Sequence, residues 1–227
     1  MHPSILGAGP RWALTAITAL LALAASARAA TPAACPPAAA PLAEVFTAAD
    51  CAGCWSAPAP ATQAAPPGWR LDWITPAGDD APLSAAALPE AAERARRAAS
   101  APAPTGWPPA RRLSVVSGPA WNGYLGVQLQ LQRTPPQVHS TRLPPGSTGW
   151  LALVELLPAG TDGSALPRAL VRSVAGPLPL DDRQPTSHLR ALRWPDGARP
   201  ERLQARAWVE APDGRVLLMA ADRCPPP

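Results

Sequence analysis

The 227-residue sequence predicts an α+β protein, with a small α/β unit over residues 42 to 108 followed by an all-β, sandwich-like unit over residues 109 to 224. Three observations carry this expectation. The hydrophobic period changes near Arg111 from helical to two. Gly/Pro turn signals recur at short intervals after that point. The 33 prolines crowd into the ends and linkers, leaving the segments between them free to fold.

In chain order, "LAEVF" at residues 42 to 46 reads as a short buried strand. A helix is expected near Cys51 with Asp50 as its cap, either very short or restarting at Pro60, because Pro58 and Pro60 lack an amide donor and crowd the preceding turn. "WRLDWITP" partly alternates around Leu71, Trp73 and Ile74 and reads as a second strand. "LSAAALPEAAERARRAAS" is the best helix in the chain. Ser84 or Pro89 can start it, and Glu90/Arg94 and Glu93/Arg97 stand four apart.

Beyond Arg111, "YLGVQLQLQ" sets Val127, Leu129 and Leu131 against Gln128, Gln130 and Gln132, one face for a core and one for water. "RLQARAWVE" shows the same pattern. Asp213-Gly214 then makes a hairpin turn into "RVLLMAA", since glycine tolerates the positive φ such a turn requires. With "RRLSVVSG", "WLALVELLP", "ALVRSV" and "HLRALRW", about seven strands are expected, as in a β-sandwich.

Residues 1 to 29 read as a signal peptide rather than fold. Arg11 supplies the positive flank, Ala13 to Ala25 is an apolar run too short to span a bilayer, and Ala27-Arg28-Ala29 suits signal peptidase. Residues 30 to 41 form a Pro/Ala-rich lead-in, and 225 to 227 a short tail. The protein is therefore expected to be exported, periplasmic or secreted, with no membrane association after cleavage.

Without Arg11 and Arg28 the chain carries 18 arginines against 16 acids, a net of +2. Those arginines are scattered, without the aromatic-interleaved basic stripe of a nucleic-acid reader, so no nucleic-acid partner is expected. No G-x-S-x-G, Gly-rich phosphate loop or H-E-x-x-H occurs, which removes the common hydrolase readings.

Four cysteines in an exported chain imply an oxidising compartment and up to two disulfides, with three pairings on paper. Pairing Cys51 with Cys54 leaves Cys35 with Cys224, near the two ends of the mature chain, as a candidate structural disulfide. The alternative arrangement has Cys35 attack the 51–54 bond.

"EVFTAADCAGC" has the spacing of the "FTSQGCSSC" signature, and on it the chain resembles a family of uncharacterised, exported, thioredoxin-like bacterial proteins (domain of unknown function 1223), as a divergent member. "LDW", "LSAAALPEAAERARR", "ALPRALVRSV" and "DGRVLLMAA" resemble later elements of that family in order and pattern. The resemblance implies a thioredoxin-like N-terminal half with Cys51 at a helix start. Two departures stand out. Trp55-Ser56 replaces the family's Pro-Pro after the second Cys, and only "AASAPAPTGWPPA" lies where the family has a strand carrying Thr-Pro-Gln, leaving Pro108 as a remnant. The thioredoxin-like unit is thus expected to be incomplete.

A thiol at a helix N-terminus faces unpaired amides and the positive end of the dipole, which favours its thiolate. Cys51 is the candidate nucleophile and Cys54, one turn on, the resolving thiol; the neighbouring Asp50 opposes this by raising a thiol's pKa. The candidate activity is thiol–disulfide exchange, with thiol- or disulfide-bearing proteins as partners. The competing class is a non-catalytic binding or structural protein with a fixed Cys51–Cys54 disulfide. A proline against the pair, with room for an extended substrate chain, would separate the two. Two thiolates at this spacing can also hold zinc or copper, but no second Cys pair or His cluster supports that, so no metal and no cofactor are expected. His139 and His188 read as surface residues, and Trp55 as a cover for the disulfide or a partner contact.

Overall fold

Strand β1 (Leu42–Ala48) runs into a one-turn helix α1 (Ala52–Ser56), and β2 (Trp69–Thr75) is followed by a 3₁₀ turn at Ser84–Ala86 and helix α2 (Pro89–Ser100). Seven strands follow: β3 (Arg111–Trp121), β4 (Tyr124–Arg133), β5 (Thr148–Leu157), β6 (Arg168–Pro179), β7 (Thr186–Arg193), β8 (Leu203–Glu210) and β9 (Val216–Ala221). The computed structural model describes residues 35–38, 40–57, 69–100, 110–133, 141–181, 183–194 and 196–224. The expected leader and nearly all of the helix restart at Pro60, together with Pro108, His139 and the tail, lie outside the described residues.

The strands form two sheets, one of six in the order β1-β2-β6-β5-β8-β9 and one of three in the order β3-β4-β7. This corrects the expected fold class. The described residues contain no separate thioredoxin-like α/β unit, because β1 and β2 continue the same sheet as β5, β6, β8 and β9. The local pattern of strand, helix, strand, helix is the same whichever sheet the strands join. The sequence could not show that the second parallel neighbour comes from residue 168 onward.

That junction is narrow. β1 and β2 pair in parallel along seven residues, whereas β2 meets β6 in parallel at a single register pair, Asp72 with Leu170. The Asp72 side chain extends it: Oδ2 accepts from the Ala169 amide at 2.8 Å and Oδ1 from Arg168 Nη1 at 3.2 Å. Arg70 donates to the same carboxylate through Nε and Nη2, and that hydrogen bond holds the Arg70 pKa above its usual value. A buried carboxylate with this many donors is well satisfied.

The two sheets pack face to face. Leu113 and Val115 of β3, Val127, Leu129 and Leu131 of β4 and Leu192 of β7 meet Leu151, Leu153, Ala205, Ala207, Val209 and Leu218 of the larger sheet. The alternation expected for β4 is therefore present. For β8 it is not: all eight residues are buried, with Trp208 and Glu210 against Arg94 of α2, and Arg206 bonded to Gln204 and to Arg70 O of β2 and lying over Trp69.

The larger sheet is curled, and one side chain measures the curl. Arg94 of α2 donates through Nε and Nη2 to the Glu44 carboxylate of β1 and through Nη1 to Glu210 of β8. Those strands are first and fifth in the sheet, about 19 Å apart were it flat at roughly 4.8 Å per strand. A single guanidinium spans them only because the sheet wraps around it. Arg94 also lies 5.6 Å and 5.9 Å from the ring centroids of Trp208 and Trp150, which stack on each other at 5.8 Å. Burial pulls the Arg94 pKa down, but Glu44 and Glu210 more than offset this, and the group is held above its ordinary value. The expected Glu90/Arg94 surface pair is thus replaced by this inward bridge, while Glu93 and Arg97 do pair at 2.7 Å.

The lead-in closes the curl from outside. Ala38 O accepts from the Met219 amide of β9, Pro37 O accepts from Trp69 Nε1 of β2, and Cys35 is joined to Cys224 with Cα atoms 5.7 Å apart. The disulfide spans a separation of 189 residues, so in the chain-entropy account it stabilises the fold by about 5 kcal/mol.

Two stability outcomes follow from this packing, both read from urea unfolding midpoints. Arg94→Met leaves Glu44 buried without its cation and Glu210 with only Arg97, 4.0 Å away, and is expected to cost about 3 to 5 kcal/mol. Arg206→Met is expected to cost less, because Arg206 has no carboxylate among its described hydrogen-bond partners and its own burial lowers its pKa to about 10. Equal costs would show that the bridge does not hold the curl. Cys35→Ser/Cys224→Ser is expected to lower stability by about 5 kcal/mol.

Candidate functional site

The Cys51–Cys54 pair sits where β1 ends. The chain turns through Ala49 and Asp50, the Cys51 amide donates to Ala48 O at 3.0 Å, and Cys51 O accepts from the Cys54 and Trp55 amides at 3.0 Å and 3.2 Å. Cys51 itself, not Asp50, is the N-cap residue of α1, and it makes no side-chain capping bond. The helix ends after one turn because Ala57 is already extended, with Pro58 next. Cys51 and Cys54 form a disulfide with Cα atoms 5.2 Å apart. Ala52, Gly53 and Cys54 are exposed and Cys51 is half-buried, so the bond lies at the surface.

Trp55 does not cover the disulfide. Its side chain turns inward, 4 % exposed, into a small core with Ala49, Ile74, Leu157 and Leu170. Its indole Nε1 donates to Asp162 O at 2.8 Å. The guanidinium of Arg168 stacks 4.8 Å from the ring centroid and donates to Trp55 O at 2.8 Å, while its Nε donates to Ser164 Oγ at 2.9 Å. Arg168 is the same residue that pairs with Asp72 at the β2–β6 junction. One buried cation therefore ties the one-turn helix to the connection between β5 and β6 and to the sheet beneath it. Sequence reasoning missed this anchor. The only signals were an arginine just before the apolar run Ala169–Val171 and an aspartate inside another strand.

Pro108, the remnant that the resemblance leaves for a contact with the pair, lies outside the described residues. A cis peptide joins Gly176 to Pro177, but Pro177 lines a small cavity of about 70 Å³ with Trp73, Arg94, Arg97 and Trp150. It lies seven residues along β6 from Leu170, or about 23 Å of strand. Gly176 is required there, since a Cβ would fall 2.4 Å from the Trp150 ring. A second cavity, of about 380 Å³, adjoins the Cys35–Cys224 disulfide and is lined by Trp69, Leu113, Val115 and Met219.

His188 is half-buried, with Nε2 2.7 Å from Pro179 O, and no group of three or more His, Cys, Asp or Glu side chains suited to a metal occurs among the described residues. No described helix is long and apolar enough to cross a membrane. The two disulfides mark a non-cytoplasmic protein.

No family model and no curated protein matches the chain. Among solved structures, HBP35 of Porphyromonas gingivalis is similar, with a TM-score of 0.50 at 10 % identity, covering 85 % of this chain and 78 % of that one. At that identity the likeness concerns the fold alone.

If Trp55 holds α1 down, Trp55→Ala should free the turn that carries the disulfide. The rate at which dithiothreitol reduces Cys51–Cys54 is expected to rise about tenfold, while Cys35–Cys224 is reduced at its former rate. An unchanged rate would mean that α1 keeps its place without the indole.

Proposed function

We propose that this is an exported β-sheet protein whose Cys51–Cys54 disulfide exchanges with the thiols of other proteins. The observation that carries the reading is the position of the pair. It is at the surface, on a one-turn helix that is anchored from below by Trp55 and Arg168, with exposed small residues, Ala52 and Gly53, between the sulfurs. A client thiolate forms a bond to one sulfur of the pair and the other leaves as a thiolate. A second client thiol then attacks the mixed disulfide, so the client gains a disulfide and the pair takes up two electrons and two protons. In the reverse direction Cys51, at the helix start, is the attacking thiolate and Cys54 the resolving thiol. Export is supported by the N-terminal leader pattern and by the two disulfides.

A second reading, a non-catalytic protein with a fixed disulfide, is favoured by one observation. Neither of the two cavities described above is lined by Cys51 or Cys54, so neither offers a groove beside the pair for an extended substrate chain.

The reduction potential of the pair decides between them. It is measured in the Cys35→Ser/Cys224→Ser protein by equilibration with thiol buffers and counting alkylated cysteines by mass. A value above about −270 mV, in the range of exchange proteins, is expected. A value below about −300 mV would assign the pair a structural role and remove exchange as the function.

A further inference from the structure

The outer face of the three-stranded sheet is unlike the rest of the surface. The exposed large hydrophobic residues among those described are Val116, Trp121, Tyr124 and Leu189, and all four stand on this face. Register shows why. Leu125, Val127 and Leu129 of β4 point into the core, so Tyr124, Gly126 and Gln128 point out. Tyr124 is paired with Trp121 on one side and Arg193 on the other, Gly126 with Ala191, and Gln128 with Val116 and Leu189. Directly paired residues share a face, so aromatic, small and aliphatic side chains form consecutive rows. The rows end at the β3–β4 turn, where Asn122 and Gly123 both have positive φ and residues 118 to 124 are all exposed.

The charge of this sheet is one-sided. By the same register two arginines, Arg112 and Arg193, fall on this outer face, and β3, β4 and β7 contain no carboxylate. Beside the hairpin tip, Arg193 keeps 73 % of its side chain exposed although Asp196 lies 3.8 Å away. Tryptophan 78 % exposed at a projecting turn, a tyrosine next to it, aliphatic neighbours and two cations on strands that carry no acid have one matching environment. It is apolar at depth, accommodates amphipathic rings at its boundary and is negative at its surface. A second copy docked through this face would set arginine against arginine. A glycan would have no use for Leu189 and Val116.

We infer that the β3–β4 hairpin tip and the adjoining outer face dock the protein on a bilayer surface containing anionic phospholipid. Trp121 and Tyr124 enter the headgroup boundary, Leu189 and Val116 follow them, and Arg193 pairs with lipid phosphate. The interaction is peripheral and involves neither disulfide.

The test uses the full chain with vesicles of phosphatidylcholine and phosphatidylglycerol at 7:3, and with phosphatidylcholine alone. Amide hydrogen exchange over residues 118 to 125 is expected to slow severalfold with the mixed vesicles and not with the neutral ones. This readout is specific to the hairpin, whatever the apolar run near the start of the chain contributes. Trp121→Ser/Tyr124→Ser, which removes only exposed side chains, is expected to keep the parent unfolding midpoint and to lose the protection. Unchanged exchange in the parent, protection that persists in the double variant, or protection that appears without lipid through self-association would each overturn the inference.

Discussion

The guanidinium of Arg94 is the constraint on which the larger sheet depends. It holds carboxylates from the first and fifth strands, and a sheet in which those two strands meet one side chain has to curl. Everything on the concave side follows from that closure. Trp150 and Trp208 stack beneath the cation, Trp73 donates its indole proton to the same Glu44 at 3.1 Å, and α2 lies across the opening as a lid. A hydrophobic plug could fill such a space, but it would not select which strands face each other. The ion bridge does so, because any other arrangement leaves two carboxylates unpaired away from water.

The same logic recurs in the middle of β2. Asp72 and Arg168 lie at the one register pair where a two-stranded parallel edge joins an otherwise antiparallel sheet. Arg168 then reaches on to Trp55, so the charge that completes the junction also seats the turn carrying Cys51 and Cys54. Fold and candidate site are therefore coupled through one residue. The disulfide is exposed, while the helix beneath it is short and rests on buried side chains rather than on its own hydrogen bonds. An accessible bond on a firmly held backbone is suited to exchange without rearrangement of the scaffold.

Much of the secondary structure was legible in the sequence. The strand at residues 42 to 46, the short turn of helix at the cysteines, the helix opening at Pro89 and the Asp213-Gly214 hairpin all appear where local pattern and turn chemistry put them. The alternation in β4 was legible because one of its faces does meet solvent. The alternation in β8 does not reach water for a physical reason: Gln204, Arg206 and Glu210 look like a water-facing row, and their burial by partners more than 100 residues earlier, Arg70 and Trp69 for Arg206 and Arg94 for Glu210, leaves no local trace. Glu90 and Arg94 likewise have the spacing of a surface pair, yet Arg94 lies on the face of α2 that turns inward, where two buried carboxylates outcompete one exposed one.

By itself, then, the sequence determined what depends on neighbours in the chain: strand periodicity, helix starts, turn positions and the Cys51–Cys54 spacing. Only the tertiary structure decided which strands share a sheet, that no separate thioredoxin-like unit forms among the described residues, and that Trp55 turns into a core instead of covering the disulfide. The reason is the range of the interactions involved. Periodicity and turns are set by backbone geometry within a few residues, whereas sheet membership here is chosen by buried charge pairs 50 to 116 residues apart, Glu44 with Arg94 and Arg94 with Glu210.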